Sequence, residues 1–364
     1  MLALQTLSSL EKVFLDEAPE AASYAGDVML LGEQFSFQMA YYLDELDRRF
    51  ANVRVSSAEG LPLEVFHVGH VACDHPVLPT HDDYVLRGKP GLFPDPLMPL
   101  QNPVRLYARQ WRTLWFLADG RAAKPGVYTI VVAFESEQGE TLAQKSFRLT
   151  VLDVELPAQK TMYTNWFHVD CIATAHHVDM YSTEHWRLIE EYARTARRFG
   201  MNMILTPIFT LPLDTRVGGE RPTHQLVGVE KDGDAYRFDF ALLDRWVGLM
   251  QSIGFEYFEM GHLFTQWGAK AAPKIMARVD GEERRIFGWD TPATGEAYAG
   301  FLRAFLPALT ERLKALGVAE RCFFHLSDEP HLDHLENYRA AHDLVAPYLK
   351  GFPALDALSN FAFF

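Results

Sequence analysis

Cysteine is scarce. Cys73, Cys171 and Cys322 are the only three in 364 residues, they lie far apart, and none sits in a Cys-x-x-Cys spacing. Three thiols cannot all pair within one chain, so no disulfide framework is expected and they read as buried thiols. Long apolar runs are also missing: no uncharged stretch reaches about 18 residues, so no membrane-spanning helix is expected. The first 17 residues are apolar only at helical spacing and carry Glu11, Asp16 and Glu17. They lack the basic start and the apolar run of about 7–15 residues that a secretion signal needs, which makes the cytoplasm the expected location. Basic side chains are outnumbered, 34 Lys and Arg against 48 Asp and Glu, for a formal net charge of −14. Such a field repels phosphate backbones and anionic lipid, so neither nucleic acid nor a membrane is an expected partner. No glycine-rich phosphate loop, Gly-x-Ser-x-Gly elbow or nucleotide fingerprint occurs, which leaves kinase, lipase and dehydrogenase readings without support. Internal repeats, low-complexity tracts and long charge runs are absent as well.

What is present is ordinary globular material, 48% hydrophobic and 23% charged. At about 150 residues per domain the length suggests two domains. Residues 1–156 read as a β-sandwich of short strands near 36–42, 53–55, 63–68, 104–107, 113–117, 128–134 and 146–152, separated by Gly, Pro, Asp and Asn. The stretch 89–103, with Pro90, Pro94, Pro96, Pro99 and Pro103, lacks the donors of a central strand and is expected as a long surface loop. After the hinge Leu156-Pro157-Ala158-Gln159-Lys160, strands alternate with helices. Strands are expected at 162–167, 202–209, 255–263, 322–326 and 354–358. Helices are expected from a Ser182 or Thr183 cap to Gly200, over 240–253, over 294–316 with a bend at Pro307, and over 332–349. The fold class is therefore multidomain β plus α/β: a β-sandwich over 1–156, then a (β/α) TIM-type barrel catalytic domain over 157–364. Only about half of the eight strand and helix pairs is present, and the tail Phe361-Ala362-Phe363-Phe364 looks like an interior strand.

In such barrels the reactive groups leave the C-terminal ends of strands. Three strand ends deliver polar groups after apolar runs: Asn165-Trp166-Phe167-His168-Val169-Asp170, Glu259-Met260-Gly261-His262, and His325-Leu326-Ser327-Asp328-Glu329-Pro330. Adjacent carboxylates at Asp328 and Glu329 are costly to desolvate without a use. One reading makes them catalytic; the other makes them caps for free amides near Leu332 at the start of the next helix. Pro330 is expected to hold Glu329 extended, which would point the two side chains apart unless the turn re-aims one.

These motifs, with Phe324-His325-Leu326-Ser327-Asp328-Glu329-Pro330 the most specific, resemble glycoside hydrolase family 123 and the relatives first described as domain of unknown function 4091. Gly32-Glu33-Gln34-Phe35-Ser36-Phe37-Gln38 is similar to the start of that family's N-terminal β-sandwich. The resemblance implies a retaining exo-β-N-acetylhexosaminidase, typically releasing N-acetylgalactosamine, in which the substrate's acetamide is the nucleophile. It implies that Asp328 orients the acetamide and stabilises the oxazolinium, while Glu329 protonates the leaving oxygen and later activates water. Glu329 is then expected to keep its proton near neutral pH, through burial or through the charge of Asp328.

Supporting residues follow from the same strand ends. Trp166, Trp267 and Trp289 are candidate walls against a sugar ring or ordinary core tryptophans. Asn165, His168, Asp170, His262 and His325 are candidate partners for sugar hydroxyls or satisfied structural groups. No cofactor and no metal are expected, and the partner is a glycan or glycoside ending in N-acetylhexosamine. Because the implied family continues past the acidic pair, either a missing C-terminal half or a homo-oligomer is expected to complete the barrel. Two other classes stay open: a carbohydrate-binding or assembly protein without turnover, and a metal-dependent hydrolase on His168, Asp170, His262 and His325.

Overall fold

A computed structural model describes residues 1–46, 49–57, 59–81, 84–358 and 360–363. The chain divides into two compact units, Met1–Ala158 and Gln159–Phe364. In the first, the strands are β1 (Leu2–Ser8), β2 (Gly26–Leu31), β3 (Gln34–Leu43), β4 (Arg49–Ser57) and β5 (Leu63–Cys73). They continue with β6 (Gly91–Pro99), β7 (Val104–Leu106), β8 (Trp111–Asp119), β9 (Gly126–Glu135) and β10 (Thr141–Glu155). Two five-stranded sheets result, ordered β1-β3-β8-β5-β6 and β2-β10-β9-β4-β7. Alternation builds the core between them: Tyr128, Ile130, Val132 and Phe134 of β9 are all buried. Phe147 of β10 stacks on Phe37 of β3 at 4.0 Å, and Phe37 on Phe116 of β8 at 4.7 Å, so one aromatic column joins the two sheets.

Two expectations fail here for identifiable reasons. The chain start, apolar at helical spacing, is strand β1, because seven consecutive residues pair antiparallel with β3. The proline-rich stretch is not a loop throughout. Its 91–99 portion is β6, an edge strand against β5, where a proline without an amide hydrogen leaves no ladder position empty on the open side.

The second unit begins with α1 (Val169–His176) and α2 (Thr183–Arg198), followed by β11 (Met203–Thr206), β12 (Gly228–Asp232), β13 (Ala235–Asp239) and α3 (Ala241–Ile253). Then come β14 (Tyr257–Met260), β15 (Ile275–Val279), β16 (Glu282–Phe287), α4 (Glu296–Ala315), β17 (Cys322–His325), α5 (Leu335–Val345) and β18 (Ala354–Leu355). Strands β11, β14, β17 and β18 form a parallel sheet in chain order, each beside its predecessor, which is a half-barrel sheet. Ser182 caps α2 by accepting from the His185 amide, and Gly254 ends α3 at φ 103°. Trp186, Ile189 and Ala193 of α2 and Leu243, Trp246 and Met250 of α3 are buried in one core with Phe258 of β14 and with Phe301, Phe305 and Leu309 of α4.

The expected strand at 162–167 does not form. The Tyr163 carbonyl accepts from the amides of Asn202 and Met203, and Asn202 Oδ1 accepts from the Tyr163 amide, so the segment is fastened at one residue instead of along a ladder. Residues 228–239 and 275–287, where no strand was expected, are two hairpins joined as the sheet β13-β12-β15-β16. The tail is not an interior strand: Phe361–Phe363 is a short 3-10 turn with Phe361 exposed, and Phe364 lies outside the described residues. Of the cysteines, Cys322 is buried, Cys73 half-buried and Cys171 exposed, so only one is the buried thiol expected. Among the described residues no helix is long and apolar enough to cross a membrane.

Candidate active site

Strand β17 stops at His325, and the four residues after it turn at the C-terminal edge of the parallel sheet. A second turn is pinned against them. The Trp267 amide donates to the Asp328 carbonyl (2.8 Å), the Ala269 amide to Ser327 Oγ (3.1 Å), and Ser327 Oγ donates to the Thr265 carbonyl (2.8 Å). Trp267, Gly268 and Ala269 all have positive φ, 58°, 105° and 53°, and a Cβ on Gly268 would lie 2.4 Å from His334 Cγ. Glycine is therefore required where this turn passes the start of the last helix.

Asp328 and Glu329 open on a cavity of about 510 Å³ lined by Trp166, Asp214, Thr215, Arg216, Gln266, Trp267, Asp328, Glu329 and Ala357. Both carboxylates line it because Glu329 is not extended, as the following proline suggested, but left-handed at φ 42°. That conformation costs a non-glycine residue about 1–2 kcal/mol and re-aims the side chain. The capping alternative fails: among the described residues no donor reaches either carboxyl group, and the turn at 331–334 is capped by His331 and His334. Asp328 is 7% exposed. Burial, then the charges of Glu329 and Asp356, push its carboxyl up to about 6. Glu329 itself is exposed, so the burial expected of it is not found. Asp356, just past β18, is also raised by burial while accepting from Tyr338 Oη (2.8 Å) and the Ser327 amide (3.3 Å).

The remaining sequence candidates divide. Trp166 and Trp267 line the cavity, each about one-third exposed at 37% and 36%. His168, at the start of α1, is 3.1 Å from Asp214 of the lining; burial and the Arg221 charge lower its pKa. His325 and His262 lie beneath: their rings stack at 4.2 Å, and His262 meets Trp166 edge-on at 5.7 Å. His262 is fully buried, which holds it well below its ordinary pKa, and neither ring nitrogen has a partner among the described residues. Three others stand outside the lining. Asn165 is exposed and donates to Tyr163 Oη (2.6 Å). Asp170 is buried in a two-pronged pair with Arg221 (2.8 and 3.0 Å). Trp289 donates to the Gly219 carbonyl (2.9 Å), bracing the loop that carries Asp214 and Arg216. Asp170 and Trp289 are thus committed to holding the chain. Among the described residues no three His, Cys, Asp or Glu side chains are grouped to hold a metal ion.

The catalytic-domain pattern of glycoside hydrolase family 123 matches residues 166–364, more than half of the chain. The chain belongs to glycoside hydrolase family 123. A solved family 123 glycoside hydrolase from Clostridium perfringens, described as acting on glycolipid glycans, superposes with a TM-score of 0.74 at 16% identity. The match covers 98% of this chain and 64% of that one, so this chain spans less than two-thirds of its solved relative. At that identity the likeness shows the fold. Other matches include the N-terminal domain of PorA (8% identity, 42% of this chain and 97% of that one, TM-score 0.22). A β-glucosidase from Listeria innocua matches at 14% identity over 43% of this chain and 16% of that one, with a TM-score of 0.20. Neither carries an argument. No curated protein matches the sequence.

Sequence reasoning missed several lining and supporting residues of this family 123 site. Asp356 repeats the pattern that exposed Asp328, an acid after a short apolar strand, and was legible on that ground. Asp214, Thr215 and Arg216 sit in a loop with no periodicity to mark them. Glu259 was visible only as part of a motif, although it is the next-to-last residue of β14 with none of its surface exposed.

Proposed function

We propose that the α/β unit removes a terminal β-linked N-acetylhexosamine, N-acetylgalactosamine in the first place, by substrate-assisted catalysis with retention of configuration. The observation that carries this reading is a pair of sequence-adjacent carboxylates on one side of a tryptophan-walled cavity, tied to no structural partner among the described residues. Two carboxylates adjacent in sequence suit a substrate that supplies its own nucleophile.

The acetamide oxygen attacks the anomeric carbon while Glu329 gives a proton to the leaving oxygen, and the bond to the leaving group breaks. Asp328 accepts from the acetamide N–H and balances the positive charge of the oxazolinium. Glu329 then takes a proton from a water that adds to the same carbon and reopens the ring. Asp328 works ionised and its burial raises its carboxyl, so the acid limb of kcat/KM should lie above the ordinary carboxylate value of 3.8. The glycolipid glycans named for the Clostridium perfringens enzyme are candidate natural substrates.

The test is hydrolysis of 4-nitrophenyl β-N-acetylgalactosaminide. Glu329→Gln should lower kcat about 100-fold to 10,000-fold, the range of general acid–base catalysis. The matching galactoside, lacking the acetamide, should be cleaved far more slowly. Equal rates on the two sugars would overturn the substrate-assisted step, and sugar binding without turnover would make the protein a binding module.

A further inference from the structure

Glu259 lies under the cavity and does not face it. Its carboxylate collects three donors: Thr164 Oγ1 at 2.5 Å on one oxygen, and Trp166 Nε1 at 3.0 Å and His325 Nε2 at 2.5 Å on the other. Trp166 is a wall of the cavity, and His325 is the last residue of the strand that leads to Asp328. Burial alone would raise the Glu259 carboxyl, but the bonds from His325, Thr164 and Trp166 outweigh it and hold the group below its ordinary value. A buried, ionised carboxylate is expensive unless its partners are fixed. Here one partner is a tryptophan that is otherwise one-third exposed, outside any helix or strand, in a segment whose neighbouring anchor is Tyr163.

We infer that Glu259 is the positioning residue of the site, fixing the Trp166 indole as a sugar-facing wall and holding the His325 ring behind Asp328. This rests on the glycosidase reading for its substrate. The polar surroundings are accounted for: Thr164 from the segment before α1, Trp166 beside it, His325 from β17, and the buried His262 stacked on His325. A charge-assisted bond is stronger than a neutral one, so the indole should loosen in steps as the carboxylate is weakened and then removed.

Two variants grade the effect. Glu259→Gln keeps an acceptor for Trp166 without the charge, and Glu259→Met removes every acceptor at similar length. KM for 4-nitrophenyl β-N-acetylgalactosaminide, and Kd for N-acetylgalactosamine by titration calorimetry, should rise about tenfold in the Met variant and less in the Gln variant. Combined with Trp166→Phe, which keeps a ring but no indole N–H, either variant should add little more, because both act through one bond. Folded variants with wild-type KM and Kd, or additive effects, overturn the inference. Exchange of the Trp166 indole proton in the unmutated protein, its resonance assigned with Trp166→Phe, covers variants that do not fold. Slowing by about tenfold or more against a solvated indole supports the clamp, and free exchange overturns it. A wild-type protein that binds the sugar without turnover overturns the glycosidase reading instead, and Kd still decides the role of Glu259.

Discussion

Asp328 shows how a carboxylate buried beside a cavity weighs on the fold that carries it. Its ordinary value is 3.8 and its folded value about 6, so the native state binds this proton more tightly than the unfolded chain does. Stability from that group is complete below about pH 4 and is lost as pH rises through 6; above that, the charged form costs at most about 3 kcal/mol. Asparagine has the same shape and no charge to bury. Asp328→Asn should therefore match the wild type in thermal melts at pH 4 and exceed it at pH 8 by up to about 3 kcal/mol, while losing activity. Equal stability at both pH values would show that the carboxylate is not strained by its site. The pair was legible in the sequence because two acids after an apolar strand have no cheap structural reason to be there. Its geometry was not, because the preference for extended backbone before proline is a local rule, and the bonds from Trp267 and Ala269 to Asp328 and Ser327 belong to the tertiary structure.

At the scale of elements, helices α2 to α5 read best, since Ser182, Gly200 and Gly254 punctuate amphipathic runs whose caps the structure keeps, whereas α1 was not expected. The two hairpins of β12 to β16 escaped although each carries a turn signal. Val279 pairs with Glu282 across Asp280-Gly281, where both loop residues have positive φ (53° and 83°), the requirement of a two-residue hairpin turn that Asp-Gly meets. Polar, alternating strands such as Glu230 to Asp232 hide from a search for apolar runs. The turn over Trp267, Gly268 and Ala269 makes the sharper prediction. Gly268→Ala puts a methyl into His334 and strains a backbone at φ 105°, so it should destabilise the protein by about 2–4 kcal/mol and lower kcat/KM by displacing the Asp328 turn. Unchanged melting and kinetics would mean that this turn does not hold the site.

On the scale of the whole molecule, two separate aromatic cores predict two separately stable bodies. Phe37, Phe116 and Phe147 anchor one, and Trp246, Phe258, Phe301 and Phe305 the other. The change of grammar near residue 157 was readable because alternation with a period of two gives way to helical periods, and counting strand and helix pairs was enough to expect about half a barrel, in line with the half-barrel sheet found. Between β10, which ends at Glu155, and α1, which starts at Val169, no residue belongs to a helix or strand, and residues 152–162 are all exposed. Lys160 is the basic residue in that stretch, and a protease needs about this kind of extended, solvated backbone to cut. Brief trypsin treatment under native conditions should therefore cleave first after Lys160, leaving pieces of 160 and 204 residues (364 − 160) that each resist further digestion. Mass spectrometry of the first fragments checks this, and a first cut inside either core, or rapid loss of one piece, would show that the two bodies do not hold their structure independently.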